Sequence, residues 1–201
     1  MSDFTTVDLL RHGEPEGGQK FRGAVDDPLS ARGWEQMRTA VGDYHAWEAI
    51  ISSPLLRCAA FARLLAEQLR CPLEIDDGFR ELSFGAWEGR SVVDVHATEA
   101  VALARFWRDP VAHPIPGGEP VAVFAKRVGW AWDALLERYR GRQILLVAHG
   151  GVIRMILRHM LEAPVQRIWR IEVPFAAVSR IRRPIDPEAE AHLVFHNGRL
   201  P

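Results

Sequence analysis

Hydrophobic positions follow two alternating patterns along the chain. Phe4 to Leu10 is a short run rich in apolar and β-branched residues, closed by Arg11-His12-Gly13; Glu48 to Ser53, Pro72 to Ile75 and Gln143 to Ala148 are runs of the same kind. Runs of this length, bounded by Gly or Pro, predict buried strands. Between them apolar residues recur at helical spacing: Trp34, Met37, Val41 and Tyr44 after Ser30, Ala59 to Leu69 after Pro54, then Val92 to Trp107, about Val121 to Arg140, and Val152 to Leu161. Ser30 suits an N-cap and Pro54 a helix start. Strands alternating with helices predict an α/β fold, a three-layer αβα sandwich whose central sheet is mostly parallel with helices on both faces. Arg167 to Val173, Ala176 to Ile181 and His192 to Phe195 predict further strands, separated by Pro174 and Pro184.

Loops carry the remaining signals. Glu14 to Asp27 is polar and glycine-rich, and Asp76 to Arg90 contains Glu81 together with Phe84, Gly85, Trp87 and Gly89, the composition of a pocket wall. His113 to Glu119 is turn-rich and predicts a lid or rim. Two strands end alike, one in Arg11-His12-Gly13 and the other in His149-Gly150-Gly151. As neighbours in a parallel sheet they would bring both histidines to its carboxyl edge, where open α/β sheets bind ligands.

The residue types at these ends suit phosphate chemistry. Arg11 offers a permanent cation with a planar donor fork, and His12 is a side chain able to attack phosphorus near neutral pH. Arg57 falls in the first turn of a helix, where the dipole disfavours a cation unless an anion completes the site. Glu81, among apolar neighbours, is a candidate for proton transfer. Each residue also has a plainer reading: a polar turn for Arg11-His12, a surface arginine for Arg57, a solvated carboxylate for Glu81. One tetrapeptide is weak; convergence of Arg11, His12, Arg57, Glu81 and His149 in one crevice is the expectation to test.

Composition narrows the setting. The 201 residues, 48% apolar and 25% charged, fit one domain over 1–201, and 25 basic against 26 acidic side chains give a formal net charge of −1. No global field favours nucleic acid or an anionic membrane, so the expected partner is a small phosphorylated metabolite; a homodimer is compatible with the sequence. Met1 to Phe4 lacks a basic and apolar leader, and nowhere do about 18 apolar residues run together, which predicts a cytoplasmic protein. Cys58 and Cys71 read as reduced and structural. His192 and His196 share one face of a strand without a third ligand nearby, so no metal and no cofactor is expected. Most of the seven tryptophans read as core or pocket wall, with Trp87 and Trp107 placed to border a substrate base or sugar.

Taken in order, the motifs resemble the histidine phosphatase superfamily, also called phosphoglycerate mutase-like, over nearly the whole chain. Arg11-His12-Gly13-Glu14 is similar to its signature, Asp27-Pro28-Leu29-Ser30 with Gly33 to its next motif, and Ser52-Ser53-Pro54-Leu55-x-Arg57 to the segment carrying a second phosphate arginine. Glu81-Leu82 with Phe84-Gly85-x-Trp87-Glu88-Gly89 is similar to the proton-donor segment, and Ala148-His149-Gly150-Gly151 to the second histidine motif. The resemblance implies His12 as nucleophile and Glu81 as proton donor, with Arg11, Arg57 and His149 on the phosphate, His149 serving best when protonated. Arg22, Gly23 and Gly150 are further candidates for substrate contact. Within the superfamily, Trp107, Pro116-x-Gly118-Glu119, Phe124 and Arg127-Val128 are most similar to α-ribazole-5′-phosphate phosphatases. A phosphoglycerate mutase, a broad-specificity sugar or nucleotide phosphatase and a non-catalytic phosphoester-binding module are the alternatives; the mutases carry enclosing sequence for which this chain has little room. The first loop departs from the pattern: Gly18 stands where most members have asparagine, and Arg22 or Lys20 is expected to take over that contact.

Overall fold

The continuous apolar runs become the centre of a sheet. In the computed structural model, which describes residues 3–201, β1 (Phe4–Arg11), β2 (Ala49–Ser52), β3 (Leu73–Ile75) and β4 (Gln143–Ala148) pair in parallel in the order β3-β2-β4-β1. β5 (Val178–Pro184) and β6 (His192–Gly198) extend the β1 edge antiparallel. Central parallel strands bury both faces, which is why β1 and β4 lack a polar alternation. Val7, Leu9, Ile144 and Leu146 pack on one side beneath α3 (Val92–Arg108), α4 (Val121–Arg138) and α5 (Gly150–Met160). Leu10, Ile50, Leu145 and Val147 face the other side, against α1 (Ala31–Val41) and α2 (Leu56–Leu69). These are the three layers the sequence predicts, and each fully buried aliphatic side chain contributes roughly 1.5–3 kcal/mol to holding them.

The β1–β4 register places the site. Arg11 lies opposite Ala148, and the His12 N–H donates to the Ala148 carbonyl at 3.0 Å. Both strands therefore end at one level, with His12 and His149 as the next residues. On the other side the Arg11 N–H donates to Ala177 and the Ala176 N–H to His12, so the turn before β5 clamps the end of β1. Below it the Asp8 carboxylate accepts from Arg180 at 2.7 and 2.9 Å and from the Trp47 indole at 2.8 Å, a buried ion pair whose hydrogen bonds are satisfied.

Two glycines let the chain turn after His12. A Cβ on Gly13 would sit 2.1 Å from the Gly33 carbonyl oxygen, and one on Gly33 would sit 2.1 Å from that of Glu14, so the loop lies directly on the first turn of α1. Ser30 caps that helix by accepting from the Gly33 N–H at 3.0 Å and donates to the Glu14 carbonyl at 2.9 Å.

Several elements differ from the sequence expectation. Arg167 to Val173 does not form a strand: Val165–Arg170 is a 3-10 helix entered from Pro164, and its apolar alternation sends Ile168 into the core and leaves Trp169 half-buried. Tyr44 lies beyond α1, because Gly42 at φ +53 ends the helix, and α3 kinks at Glu99. Among the described residues no helix is long and apolar enough to cross a membrane.

Candidate active site

Among the described residues, His12 is the only imidazole on the cavity floor. The ring is 5% exposed, and Nδ1 lies 2.7 Å from the Gly13 carbonyl, which can only accept; Nδ1 therefore carries the proton and Nε2 the lone pair. Burial, reinforced by the positive charges of Arg11 and Arg57, holds its pKa well below the ordinary 6.5, so the ring is neutral. Arg11 beside it donates Nη1 to the Val173 carbonyl, while its buried Nε has no hydrogen-bond partner among the described residues. Burial lowers the Arg11 pKa to about 10 against the pull of Glu81, leaving it charged at neutral pH. Phe175 covers both groups, its ring centroid 4.1 Å from the guanidinium carbon and 5.8 Å from the His12 ring.

His149 is close but differently held. Its ring lies 5.2 Å from that of His12, completely buried, and does not line the cavity. Arg57 donates Nε to its Nδ1 at 3.2 Å, which leaves Nε2–H to donate to Ser53 Oγ at 2.7 Å. The sequence suggests a protonated His149; the structure corrects this, because burial first and the cationic Arg57 next hold its pKa well below 6.5. Arg57 does not line the cavity either. Its remaining nitrogens donate to the carbonyls of Val25, Arg22 and Gly23, which satisfies a cation at a helix start by tying down the first loop. Cys58 Sγ lies 3.3 Å from the Ala148 carbonyl and 3.6 Å from His149 Nε2; burial raises the thiol pKa, and it packs as a small apolar group.

Glu81 enters from the opposite loop. Its carboxyl group accepts from the Leu82 and Gly151 N–H groups, each at 2.9 Å, at the N-terminal end of α5. A Cβ on Gly151 would lie 2.2 Å from Glu81 Oε1, so glycine is required for this approach. His12, Arg11 and Glu81 share a cavity of about 610 Å³ with Gly150, Lys20, Arg22 and Arg154, and its upper wall is aromatic: Phe21, Phe84, Trp107, Trp169 and Phe175.

The remaining candidates divide. Arg22 lines the cavity, with Nε on Asp27 at 2.8 Å and Nη2 on the carbonyls of Glu16 and Gly18; Lys20 meets the same Asp27 at 2.8 Å. Gly23 lies behind the wall, its N–H on Glu88 and its carbonyl on Arg57; a Cβ there would sit 1.9 Å from the Leu82 carbonyl oxygen. Pro116 to Glu119 forms a strut rather than a lid: the carbonyls of Pro116 and Ser83 accept from Ala86 and Glu119, and Arg127 joins Glu119 to the Gly78 carbonyl. His196 is engaged with Ser179 and the Glu172 carbonyl, away from any cluster of ligands. Among the described residues, no group of three or more His, Cys, Asp or Glu could hold a metal ion.

The roles of two residues escaped the sequence reading. Glu88 gathers the N–H groups of Gly23, Ala24, Val25 and Phe84, joining the first loop to the Glu81 loop. Arg154 stands four residues after Gly150 on α5, and that helical spacing was the available signal.

A family model of the histidine phosphatase superfamily (branch 1) matches residues 7–191. The chain belongs to this superfamily. A bifunctional protein of Mycobacterium tuberculosis is 32% identical over 202 residues, covering 98% of this chain but 55% of its own length, so the chain spans about half of that relative. The adenosylcobalamin/alpha-ribazole phosphatase of Escherichia coli is 29% identical over 170 residues, 82% of this chain and 83% of its own. Among solved structures, the alpha-ribazole phosphatase from Shigella flexneri superimposes with a TM-score of 0.83 at 27% identity, covering 97% of both chains. A mycobacterial glucosyl-3-phosphoglycerate phosphatase reaches 0.85 at 23% identity over 97% of this chain and 99% of its own, a likeness of fold.

Proposed function

We propose that the chain is a phosphomonoester hydrolase that works through a phosphohistidine on His12, and that α-ribazole 5′-phosphate is its substrate. The carrying observation is the fixed tautomer of His12: Nδ1–H is held on the Gly13 carbonyl and Nε2 is left as a lone pair next to Arg11 and across the cavity from Glu81. Nε2 attacks phosphorus in line, the bond to the leaving oxygen breaks, and protonated Glu81 gives that oxygen its proton. The phosphorylated ring keeps Nδ1–H on Gly13. Water then attacks phosphorus, Glu81 takes its proton, and the N–P bond breaks to release inorganic phosphate and return neutral His12. Arg11 counters the charge on the non-bridging oxygens. His149 and Arg57 support this floor from behind and reach the phosphate only by exchanging their present partners. With these cations supplying the electrostatics, the reaction is expected to proceed without a divalent metal.

The substrate assignment draws on the aromatic upper wall. A small, strongly polar ester such as 3-phosphoglycerate has nothing to set against Phe84, Trp107 and Trp169, whereas a benzimidazole nucleoside offers a flat apolar surface to all three. The alpha-ribazole phosphatases of Escherichia coli and Shigella flexneri support the same reading. Phosphate release from α-ribazole 5′-phosphate, 3-phosphoglycerate, phosphoserine and an aryl phosphate, measured in EDTA with wild type and His12→Ala, tests it. Selective release from the first that disappears in the variant supports both halves. Equal rates on all four would remove the substrate assignment, and undiminished release by His12→Ala would remove the mechanism.

A further inference from the structure

Of the cations around the cavity, most already have partners. Arg57 directs its nitrogens to His149 and three carbonyls, Arg22 to Asp27 and two carbonyls, and Lys20 to Asp27. Arg154 is different. Its Nε donates to the Ile171 carbonyl at 2.8 Å, the guanidinium lies 5.8 Å from the Trp169 ring centroid, and among the described residues Nη1 and Nη2 have neither a hydrogen bond nor an ion pair. Arg154 also lines the cavity, and burial lowers its pKa. Glu81 and Glu172 offset part of its charge, yet its terminal fork makes no direct bond to either and stands beside the like-charged Arg11, an arrangement that an anion between the two guanidiniums would relieve.

Where that anion sits follows from Gly150. The point that a Cβ on Gly150 would occupy is 3.0 Å from Arg154 Nη1 and 3.3 Å from Arg11 Nε, the buried donor that also lacks a partner. Two unmatched guanidinium donors thus bracket one glycine at the first turn of α5, where the helix adds its own partial positive charge. We infer that Arg154 is a further phosphate-binding residue, which joins Arg11 in gripping the phosphoryl group over Gly150.

This inference rests on the phosphomonoesterase reading, and its test separates the two. Arg154→Met and Arg154→Lys are compared with wild type in three measurements: inhibition by inorganic phosphate, kcat/KM on an aryl and on an alkyl phosphate, and the unfolding midpoint. The expected result for Met is a roughly 10- to 100-fold weaker phosphate inhibition with an equal loss of kcat/KM on both esters, Lys falling between, since a charge-assisted contact of this kind is lost from ground and transition state alike. Unchanged phosphate inhibition would overturn the inference. A loss confined to the alkyl ester would overturn it too, because that pattern belongs to a residue that only positions Glu81. If Arg154→Met fails to fold, Arg154→Gln, which keeps a polar side chain without the charge, gives the same readout. Calorimetric binding of inorganic phosphate to the His12→Ala variant, with and without Arg154→Lys, reports on the grip independently of turnover, so failure of the phosphohistidine mechanism would be seen separately.

Discussion

The two central strands end in the same way, an apolar run followed by histidine and glycine, yet the two histidines are held by different means. His12 has a single polar anchor, the carbonyl of its own neighbour Gly13, and turns its other nitrogen to the cavity. His149, one strand away, is gripped at both nitrogens, by Arg57 and by Ser53, and is sealed beneath the floor. Equal sequence context therefore produced one ring that faces the cavity and one sealed beneath it. The difference comes from the second loops that reach each strand end: Ser53 and Arg57 come from β2 and α2 beside β4, whereas Phe175 caps β1 from the turn before β5.

The largest expected effect breaks the symmetry outright. His12→Ala should abolish turnover, by roughly 10⁴-fold or more, because the bond-forming atom is removed. Its unfolding midpoint should stay near that of wild type, since one local contact is lost. His149→Ala should lower kcat by roughly 10²- to 10³-fold, and should also cost about 1–3 kcal/mol of stability by leaving the Arg57 Nε and the Ser53 hydroxyl unpaired in the interior. Initial rates and urea unfolding on both variants check this; equal stability losses would show that the two rings are held alike after all. Next in size is Gly151→Ala. Its methyl would overlap Glu81 Oε1, so Glu81 must withdraw from the α5 N-terminus, and hydrolysis of an alkyl phosphate should fall by roughly 10²-fold or more while an aryl phosphate with a good leaving group loses far less. Parallel losses on both esters would remove Glu81 from the proton-donor role.

Much of the architecture was legible because each local signal has one physical reading. Continuous apolar runs such as Ile144 to Ala148 fit only the centre of a parallel sheet, and Ser30 with Gly33 announces a helix start that the Ser30 cap and the close approach of Gly33 to Glu14 both require. Convergence of His12, Arg11 and Glu81 followed from the strand order. Where the reading went astray, the cause was tertiary. The alternation Trp169, Ile171, Val173 looks like a strand in isolation, but the sheet edge is already occupied by β5 and β6, and the segment opens as a 3-10 turn that lays Trp169 on the cavity. A lid or rim over His113 to Glu119 was expected from turn residues alone, and the contact that makes Pro116 to Glu119 a strut, Arg127 joining Glu119 to the Gly78 carbonyl, reaches to a position far away in sequence. The protonation of His149 was not legible because it depends on complete burial next to Arg57.

That protonation gives a pH test that sharpens the comparison. Both histidines have folded-state pKa values well below the ordinary 6.5, each chiefly through burial. In the unfolded chain they bind protons below about 6.5, so their contribution to stability is fully present above that pH and is lost as pH falls from 6.5 toward the depressed folded values. Unfolding free energy measured between pH 8 and 5 should therefore decline on acidification, and less steeply in His149→Ala. Activity follows His12: the rate should hold below pH 6.5, past the point where an ordinary histidine would be protonated, and fall at more acid pH. An acid limb centred at 6.5 would mean that His12 is not buried as described.

The smallest effect lies furthest from either histidine. Trp107 is 38% exposed, packs edge-on to Trp169 at 4.6 Å between centroids and stacks on Phe21 at 6.2 Å, which makes it the outermost ring of the aromatic wall. It touches no group that forms or breaks a bond. Trp107→Ala should raise KM for α-ribazole 5′-phosphate by roughly 2- to 10-fold, the worth of one aromatic contact, and leave kcat nearly intact. On a small alkyl phosphate, which reaches only the floor, the same variant should behave as wild type. If KM rises equally for both esters, the wall shapes the floor instead of reading the leaving group, and the division between a catalytic floor and a selective wall would have to be redrawn.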